Sequence, residues 1–340
     1  MSTLQKGDPL PWLAPLCAHT GAPFRIEAAG GRFSFFCFPR LQGQTTTADD
    51  STLINAVRTL SAQTDGVTHL LFVVLPGGND TLNAELRALG DAVRILLDDD
   101  LALHHAFGVS EKRSDSLWFV ANPRLKLLYA QSFPDDMVGA RTMVELARYL
   151  PPDLAHYNRQ TPPPALLMES VIEPSLCQEL IETHLLGDRY ASPAQTEIGG
   201  QAAHDHDNTR KSRTDSEIPE RLRNLVIKRL AARVAPELKR AYQFDMHGIE
   251  RLVVACYDAA TGGRFDPHRD NTLTHTRDRK FAISINLNDE YEGGYIGFPE
   301  YTGTLYRPPA TGAIAFSCSL MHVVTPITKG RRFALLLFLT

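Results

Sequence analysis

Two short signatures near the end of the chain restrict its fold more than any composition figure does. The first reads Y-D-A-A-T-G-G-R-F-D-P-H-R-D and ends in an H-x-D pair, His268 and Asp270. The second reads M-H-V-V-T-P-I-T-K-G-R-R-F-A-L-L-L-F-L, with His322 at its start and Arg332 ten residues later. In extended backbone, residues i and i+2 share a face, so His268 and Asp270 can point the same way. His322 must then come from a distant strand that returns beside them. The terminal run alternates: Arg332, Ala334, Leu336 and Phe338 on one face, Phe333, Leu335, Leu337 and Leu339 on the other. An arginine on an otherwise apolar strand face needs an anionic partner. Its planar fork suits a carboxylate held by two parallel bonds. Two imidazoles and one carboxylate that leave other positions open form a donor set suited to non-haem Fe(II).

From Ile249 onward the pattern is strand and turn. Strand segments are expected at 250–257, 281–287, 294–298, 303–307, 312–317, 321–327 and 332–339. Many short strands separated by Gly, Pro, Asn and Asp indicate a double-stranded β-helix, or jelly roll. The polar stretch Asn271 to Lys280 reads as a loop over the site, with His275 exposed rather than ligating.

With these residues in hand, the segment 165–340 resembles the Fe(II)- and 2-oxoglutarate-dependent dioxygenases, in their prolyl 4-hydroxylase-like branch. The resemblance is carried by Tyr257, the H-R-D of 268–270, the G-G-Y-I-G-F-P-E of 293–300, His322 and Arg332. It implies that His268, Asp270 and His322 are metal ligands and catalytic residues. It implies that Arg332 binds the distal carboxylate of 2-oxoglutarate, with Tyr257 as second contact. The implied cofactors are Fe(II), 2-oxoglutarate as co-substrate and dioxygen, with ascorbate as an optional addition. The implied reaction hydroxylates an unactivated C–H bond and releases succinate and CO2. Related halogenases lack the carboxylate, so Asp270 favours hydroxylation.

The first half reads differently. F-S-F-F-C-F at 33–38 and H-L-L-F-V-V-L at 69–75 are buried strands, the first ended by Pro39. Helices are expected near 51–63, 80–89, 100–106 and 136–149, a strand at 93–97, and a hairpin turning at Asn122-Pro123. Strands alternating with helices, followed by a hairpin and a last helix, indicate a mixed sheet covered on both faces. The order resembles the thioredoxin fold, and the peroxiredoxins in particular, through K-G-D-P-L-P-W, D-D-D-L-A-L-H-H-A-F-G-V and S-L-W-F-V-A-N-P-R-L-K-L. That family carries a reactive cysteine seven residues past the proline after the first long strand. Here that position is Thr46, and no cysteine lies between Cys37 and Cys177. A threonine hydroxyl cannot supply the thiolate that attacks peroxide, so the unit is expected to be degenerate and used for packing, dimerisation or docking.

Three parts are therefore expected: a thioredoxin-like α/β unit over 1–150, a Pro-rich linker over 151–164 and the oxygenase domain over 165–340. M-E-S-V-I-E at 168–173 should open the second domain as a strand, followed by a helix from Pro174 to about Leu186. Residues 188–217 look polar and irregular and hold a rival cluster, His204, Asp205, His206 and Asp207, read as a solvated loop. An R-x-S element, Arg210-Lys211-Ser212, follows it. A single long helix is expected over 219–243.

The chain of 340 residues has a net charge of −4, which gives no basic footprint for nucleic acid. Its longest apolar run is far too short to span a bilayer. Five widely spaced cysteines without C-x-x-C read as reduced thiols in a cytoplasmic protein. The expected partner is a protein, a peptide or a small-molecule substrate, with a homodimer as an option. Alternatives to a side-chain hydroxylase are a hydroxylase of a free amino acid or other small metabolite and a non-catalytic iron- or oxygen-sensing binding protein.

Overall fold

The computed structural model describes residues 4–40, 47–76, 80–90, 92–110, 114–150, 161–192, 194–198, 201–205 and 211–340. The chain divides into two units, Met1–Gln160 with Pro299–Gly303, and Thr161–Phe298 with Thr304–Thr340. The expected linker falls largely on residues 151–160, outside the described ones.

The first unit is built on a seven-stranded mixed sheet in the order β2-β1-β5-β4-β3-β6-β7. Its short edge strands are β1 (Leu16–Cys17) and β2 (Ala22–Pro23). At the centre, β3 (Phe33–Phe38), β4 (His69–Leu75) and β5 (Val93–Leu97) run parallel. The hairpin β6 (Ser116–Ala121) and β7 (Leu127–Phe133) continues the sheet antiparallel to β3. Parallel neighbours need crossovers, which α1 (Thr47–Ser61) and α2 (Asp80–Arg87) supply. The helices α3 (Ala102–Phe107) and α4 (Asp136–Tyr149) complete the two covers. Every residue of β3 is buried, because each sheet face has its own core. Phe35 and Cys37 pack with Val57, Leu60 and Met143, whereas Phe36 and Phe38 pack with Leu103 and Phe107. This is the thioredoxin-like α/β arrangement expected from sequence.

Close packing of α4 on β6 depends on Gly139. A Cβ there would sit 2.1 Å from Nε1 of the fully buried Trp118, a ring with no room to retreat. Gly139→Ala is expected to destabilise this unit by roughly 1–3 kcal/mol, seen as a lower urea midpoint in tryptophan fluorescence.

The second unit holds two antiparallel sheets. The larger follows the order β8-β20-β16-β22-β14-β13-β9, with β17 also pairing β22. The smaller follows β12-β15-β21-β18-β19, and β10 (Ala194–Ile198) and β11 (Gln201–Asp205) form a separate hairpin. The larger sheet comprises β8 (Ala165–Met168), β9 (Tyr190–Ala191), β13 (Thr214–Glu217), β14 (Ile249–Asp258), β16 (Phe281–Asn286), β17 (Tyr291–Gly293), β20 (Ala313–Ser317) and β22 (Ile327–Leu339). The smaller comprises β12 (Lys211–Ser212), β15 (Arg264–His268), β18 (Ile296–Gly297), β19 (Leu305–Tyr306) and β21 (His322–Val324). Tyr257 and Ala255 of one sheet cluster with Val324 of the other and with Ile327, so the sheets pack face to face as in a jelly roll. The opposite face of the larger sheet, with Phe333, Leu335, Leu337 and Leu339, packs on α5 (Pro174–Leu186), α6 (Glu220–Arg233) and α7 (Ala235–Tyr242).

Three sequence expectations need correction. The first strand is Ala165–Met168, not 168–173, and the chain then turns at Ser170, whose φ is +54°. The segment 188–217 is not irregular throughout: β9, β12 and β13 extend the two sheets from it. The long helix breaks at Val234 into α6 and α7, because Pro236 has no N–H for the ladder and its ring crowds the preceding turn. Among the described residues, no helix is long and apolar enough to cross a membrane.

Candidate metal and co-substrate site

Two cross-strand pairs, one in each sheet of the second unit, build the site. In the smaller sheet His268 of β15 lies directly opposite His322 of β21. In the larger sheet Tyr257 of β14 lies directly opposite Arg332 of β22. Directly opposed residues are close neighbours on one face, which explains how positions so far apart in sequence meet.

Asp270 lies just past the end of β15, where its N–H donates to the Cys318 carbonyl at 2.9 Å. Its Oδ1 is 3.5 Å from His268 Nε2, and its Oδ2 is 3.5 Å from His322 Nε2. The three side chains offer one donor atom each, all within 4.8 Å of one another, and they are the one such group found among the described residues. Each imidazole is oriented from behind. His268 Nδ1 lies 2.7 Å from the Asp266 carbonyl, and His322 Nδ1 lies 3.1 Å from the Leu320 carbonyl. A carbonyl only accepts, so both Nδ1 atoms carry hydrogen and both Nε2 atoms face Asp270. Burial and the neighbouring His268 draw the His322 pKa down to about 4, against the opposing pull of Asp270. Burial alone would raise the Asp270 carboxyl, but His322 and His268 outweigh it and hold the group well below the usual range. At neutral pH His322 is therefore neutral and Asp270 ionised, the states that bind a metal.

Arg279 supports Asp270 from the polar loop. It is clamped by Glu250 at 2.6 and 2.7 Å, lies 4.1 Å over the Phe338 ring, and donates from Nη1 to the Asp270 carbonyl at 3.2 Å. His275, in the same loop, is exposed, as expected.

Arg332 is 1 % exposed. Its Nε and Nη2 donate to Asn286 Oδ1 at 3.0 and 2.9 Å, and Nη2 also donates to Ser284 Oγ at 3.0 Å. Its guanidinium carbon lies 5.4 Å from the centre of the Tyr257 ring. All these contacts are neutral, and among the described residues no carboxylate lies within ion-pair distance. A buried cation without an anion is costly. Gly294, at φ +64°, explains part of the glycine-rich motif. A Cβ there would meet Ile327 Cδ1 at 2.4 Å and Arg332 Cδ at 3.0 Å.

Sequence reasoning singled out His268, Asp270, His322, Tyr257 and Arg332; His322, Tyr257 and Arg332 are buried, and His268 and Asp270 are half-buried. It did not single out Ser284, Asn286, Arg279, Arg213 or Asp215. The rival cluster is not tested: His206 and Asp207 lie outside the described residues, and nothing is described of the side chains of His204 and Asp205. In the first unit Thr46 is likewise outside the described residues. Cys37 is fully buried, and burial together with Asp136 pushes its thiol pKa well up, which removes it as a thiolate nucleophile. All five cysteines are free and buried.

Residues 252–340 match the model of the 2OG-Fe(II) oxygenase superfamily. A PKHD-type hydroxylase of Synechococcus sp. (strain JA-2-3B'a(2-13)) is 29 % identical over 93 residues, which are 25 % of this chain and 41 % of that protein. A PKHD-type hydroxylase of Rhizorhabdus wittichii is 34 % identical over 80 residues, 21 % of this chain and 35 % of that one. The chain thus spans about two fifths of the curated relatives it matches. Among solved structures, a prolyl hydroxylase from Trichoplax adhaerens, in complex with a hypoxia inducible factor peptide fragment, is 19 % identical. It covers 55 % of this chain and 86 % of its own, with a TM-score of 0.41. A PrxQ mutant of Xylella fastidiosa is 13 % identical over 44 % of this chain and 98 % of its own, with a TM-score of 0.37. Residues 252–340 are therefore similar to the 2OG-Fe(II) oxygenase superfamily, and the first unit has the mixed-sheet order of a thioredoxin-like α/β fold.

Proposed function

We propose that this protein is an Fe(II)- and 2-oxoglutarate-dependent hydroxylase acting on a C–H bond of a protein or peptide side chain. The observation that carries this reading is Arg332, a buried guanidinium with only neutral partners, in the same unit as a His-Asp-His donor set. The donor set suits Fe(II): two imidazole nitrogens and one carboxylate with other positions left open. The arginine fork suits the distal carboxylate of 2-oxoglutarate.

In this reading His268, Asp270 and His322 hold the metal. When bound, Fe(II) supplies the redox chemistry that couples O2 to decarboxylation of the keto acid. One oxygen atom of O2 ends as the product hydroxyl, the other enters succinate, and CO2 leaves. The chain's own residues supply position. The Asp266 and Leu320 carbonyls fix both imidazole rings, and the Cys318 carbonyl and Arg279 fix the backbone of Asp270. Asn286 and Ser284 hold one edge of Arg332, which leaves Nη1 for the co-substrate. Arg332 is buried, so a guanidinium–carboxylate pair there would be stronger than one at the surface.

Anaerobic titration with Fe(II) and 2-oxoglutarate tests this. A visible charge-transfer band from the chelated keto acid is expected in the native protein and not in His268→Ala. No band at saturating iron and co-substrate would leave a barrel that serves as a non-catalytic binding module. If the band appears, succinate release should depend on peptide. Turnover with free amino acids and with no peptide would instead assign a small-metabolite hydroxylase.

A further inference from the structure

Arg213 lies between β12 and β13 and reaches between the two sheets. Its guanidinium carbon is 5.7 Å from the Tyr257 ring centre in one sheet and 6.0 Å from the Phe265 ring centre in the other. The side chain is 8 % exposed. Nη1 is 3.0 Å from the Tyr257 hydroxyl oxygen. Asp215 anchors the other edge: Nη2 donates to Oδ2 at 3.0 Å, and Nε lies at ion-pair distance from Oδ1, 2.9 Å, without hydrogen-bond alignment. Asp215 is fully buried and also accepts Nη2 of Arg251 at 2.7 Å. One carboxylate thus serves two guanidinium groups, and Arg332 places a third against the same tyrosine.

Hydrogen-bond polarity turns this arrangement into a functional statement. A guanidinium has five donors and no acceptor. In the Arg213–Tyr257 bond the tyrosine oxygen must therefore accept. Its own hydrogen is left to point elsewhere, and among the described residues it meets no acceptor although Tyr257 is 1 % exposed. Arg332 Nη1 is likewise a donor without a protein acceptor among the described residues. Two donors without protein acceptors, on residues each 1 % exposed and amid excess positive charge, call for one anion with at least two oxygens.

We propose that Arg213 is a positioning residue that commits Tyr257 to donate its hydroxyl hydrogen to the distal carboxylate of 2-oxoglutarate, while Asp215 and Arg251 hold Arg213 in place. This rests on the reading of Arg332 and Tyr257 as co-substrate contacts. A charged donor behind the tyrosine also polarises its O–H bond and strengthens it as a donor. Arg213 itself need not touch the ligand.

The test is calorimetric binding of N-oxalylglycine, a co-substrate analogue that keeps the distal carboxylate, to the full chain loaded with Mn(II). Arg213→Met and Tyr257→Phe are each expected to weaken binding by about tenfold. The double variant should be no weaker than Tyr257→Phe alone, because one residue acts through the other. Oxalate, which keeps the chelating oxygens and lacks the distal carboxylate, should bind the wild type and Arg213→Met equally. Arg251→Met, which acts on Arg213 only through Asp215, should weaken N-oxalylglycine less than Arg213→Met does and leave oxalate binding unchanged. If Arg213→Met does not fold, Arg213→Lys keeps a charge for Asp215, lacks the fork and should show the same selective loss. Additive single effects, or an equal loss for oxalate, would make Arg213 a general structural support and overturn the proposal. A wild type that takes up Mn(II) but not N-oxalylglycine would overturn the parent reading and this one together.

Discussion

His322→Ala is expected to abolish iron-dependent turnover and to weaken Fe(II) binding by at least about 100-fold, since even losing a hydrogen-bond partner behind a metal ligand costs about 10–100-fold. The side chain supplies one of the three donor atoms that lie within 4.8 Å of one another. No other described residue stands ready to replace it, since no second group of metal-binding side chains occurs among them. Its pKa of about 4 means that protons do not compete for Nε2 near neutral pH. The loss would therefore report a missing ligand rather than a shifted titration. A thermal readout separates the two halves of the effect. A metal at 100 times its dissociation constant stabilises the native state by about 2.7 kcal/mol, so the wild-type melting temperature should climb with added Fe(II) under anaerobic conditions. His322→Ala should melt independently of iron. Retained turnover in this variant would move the ligand elsewhere, with His204 and His206 as the first places to look.

The parts of this protein that could be read from sequence are those where one residue type does one thing. Phe33–Phe38 and His69–Leu75 are continuous apolar runs and are strands buried on both faces. The terminal run alternates, and the structure separates Phe333, Leu335, Leu337 and Leu339 into one core while Arg332 faces the other way. His268, Asp270, His322 and Arg332 were visible because an H-x-D pair, a distal histidine and a lone arginine in an apolar strand are unusual together.

What escaped was set by register and not by local pattern. Ser284 and Asn286 look like ordinary polar residues in a strand. They reach Arg332 only because Ser284 pairs with Leu336 and Asn286 with Ala334 across β16 and β22. Arg213 and Asp215 sit in a run of charged and hydroxyl residues that reads as a solvated loop. Pairing with β14 buries Asp215, and Arg213 follows it inward. Hydrophobic periodicity cannot detect a strand whose buried face is made of an ion pair. The break at Val234 is locally legible in Pro236, which interrupts a helical repeat that continues on both sides.

Arg332→Met should produce two changes of opposite sign, and that opposition is what distinguishes a ligand-binding arginine from a structural one. In the native protein the guanidinium is buried among Asn286, Ser284 and the Tyr257 ring with no anion of its own. Without co-substrate this is an uncompensated buried charge, and replacing such a group by an apolar side chain of similar length is commonly neutral or stabilising. The melting temperature of the ligand-free protein is therefore expected to stay the same or rise. Affinity for 2-oxoglutarate should fall by roughly 30- to 4,000-fold, since truncating one partner of a buried hydrogen-bonded charge pair costs about 2–5 kcal/mol. Arg332→Lys keeps the charge but offers a point donor in place of the fork, and should recover part of the affinity. A structural arginine would behave the other way: its loss would lower the ligand-free melting temperature, and any fall in affinity would track the fraction unfolded. Unchanged affinity in a folded Arg332→Met variant would remove Arg332 from the co-substrate site, and with it the strongest reason to read this barrel as a 2-oxoglutarate enzyme.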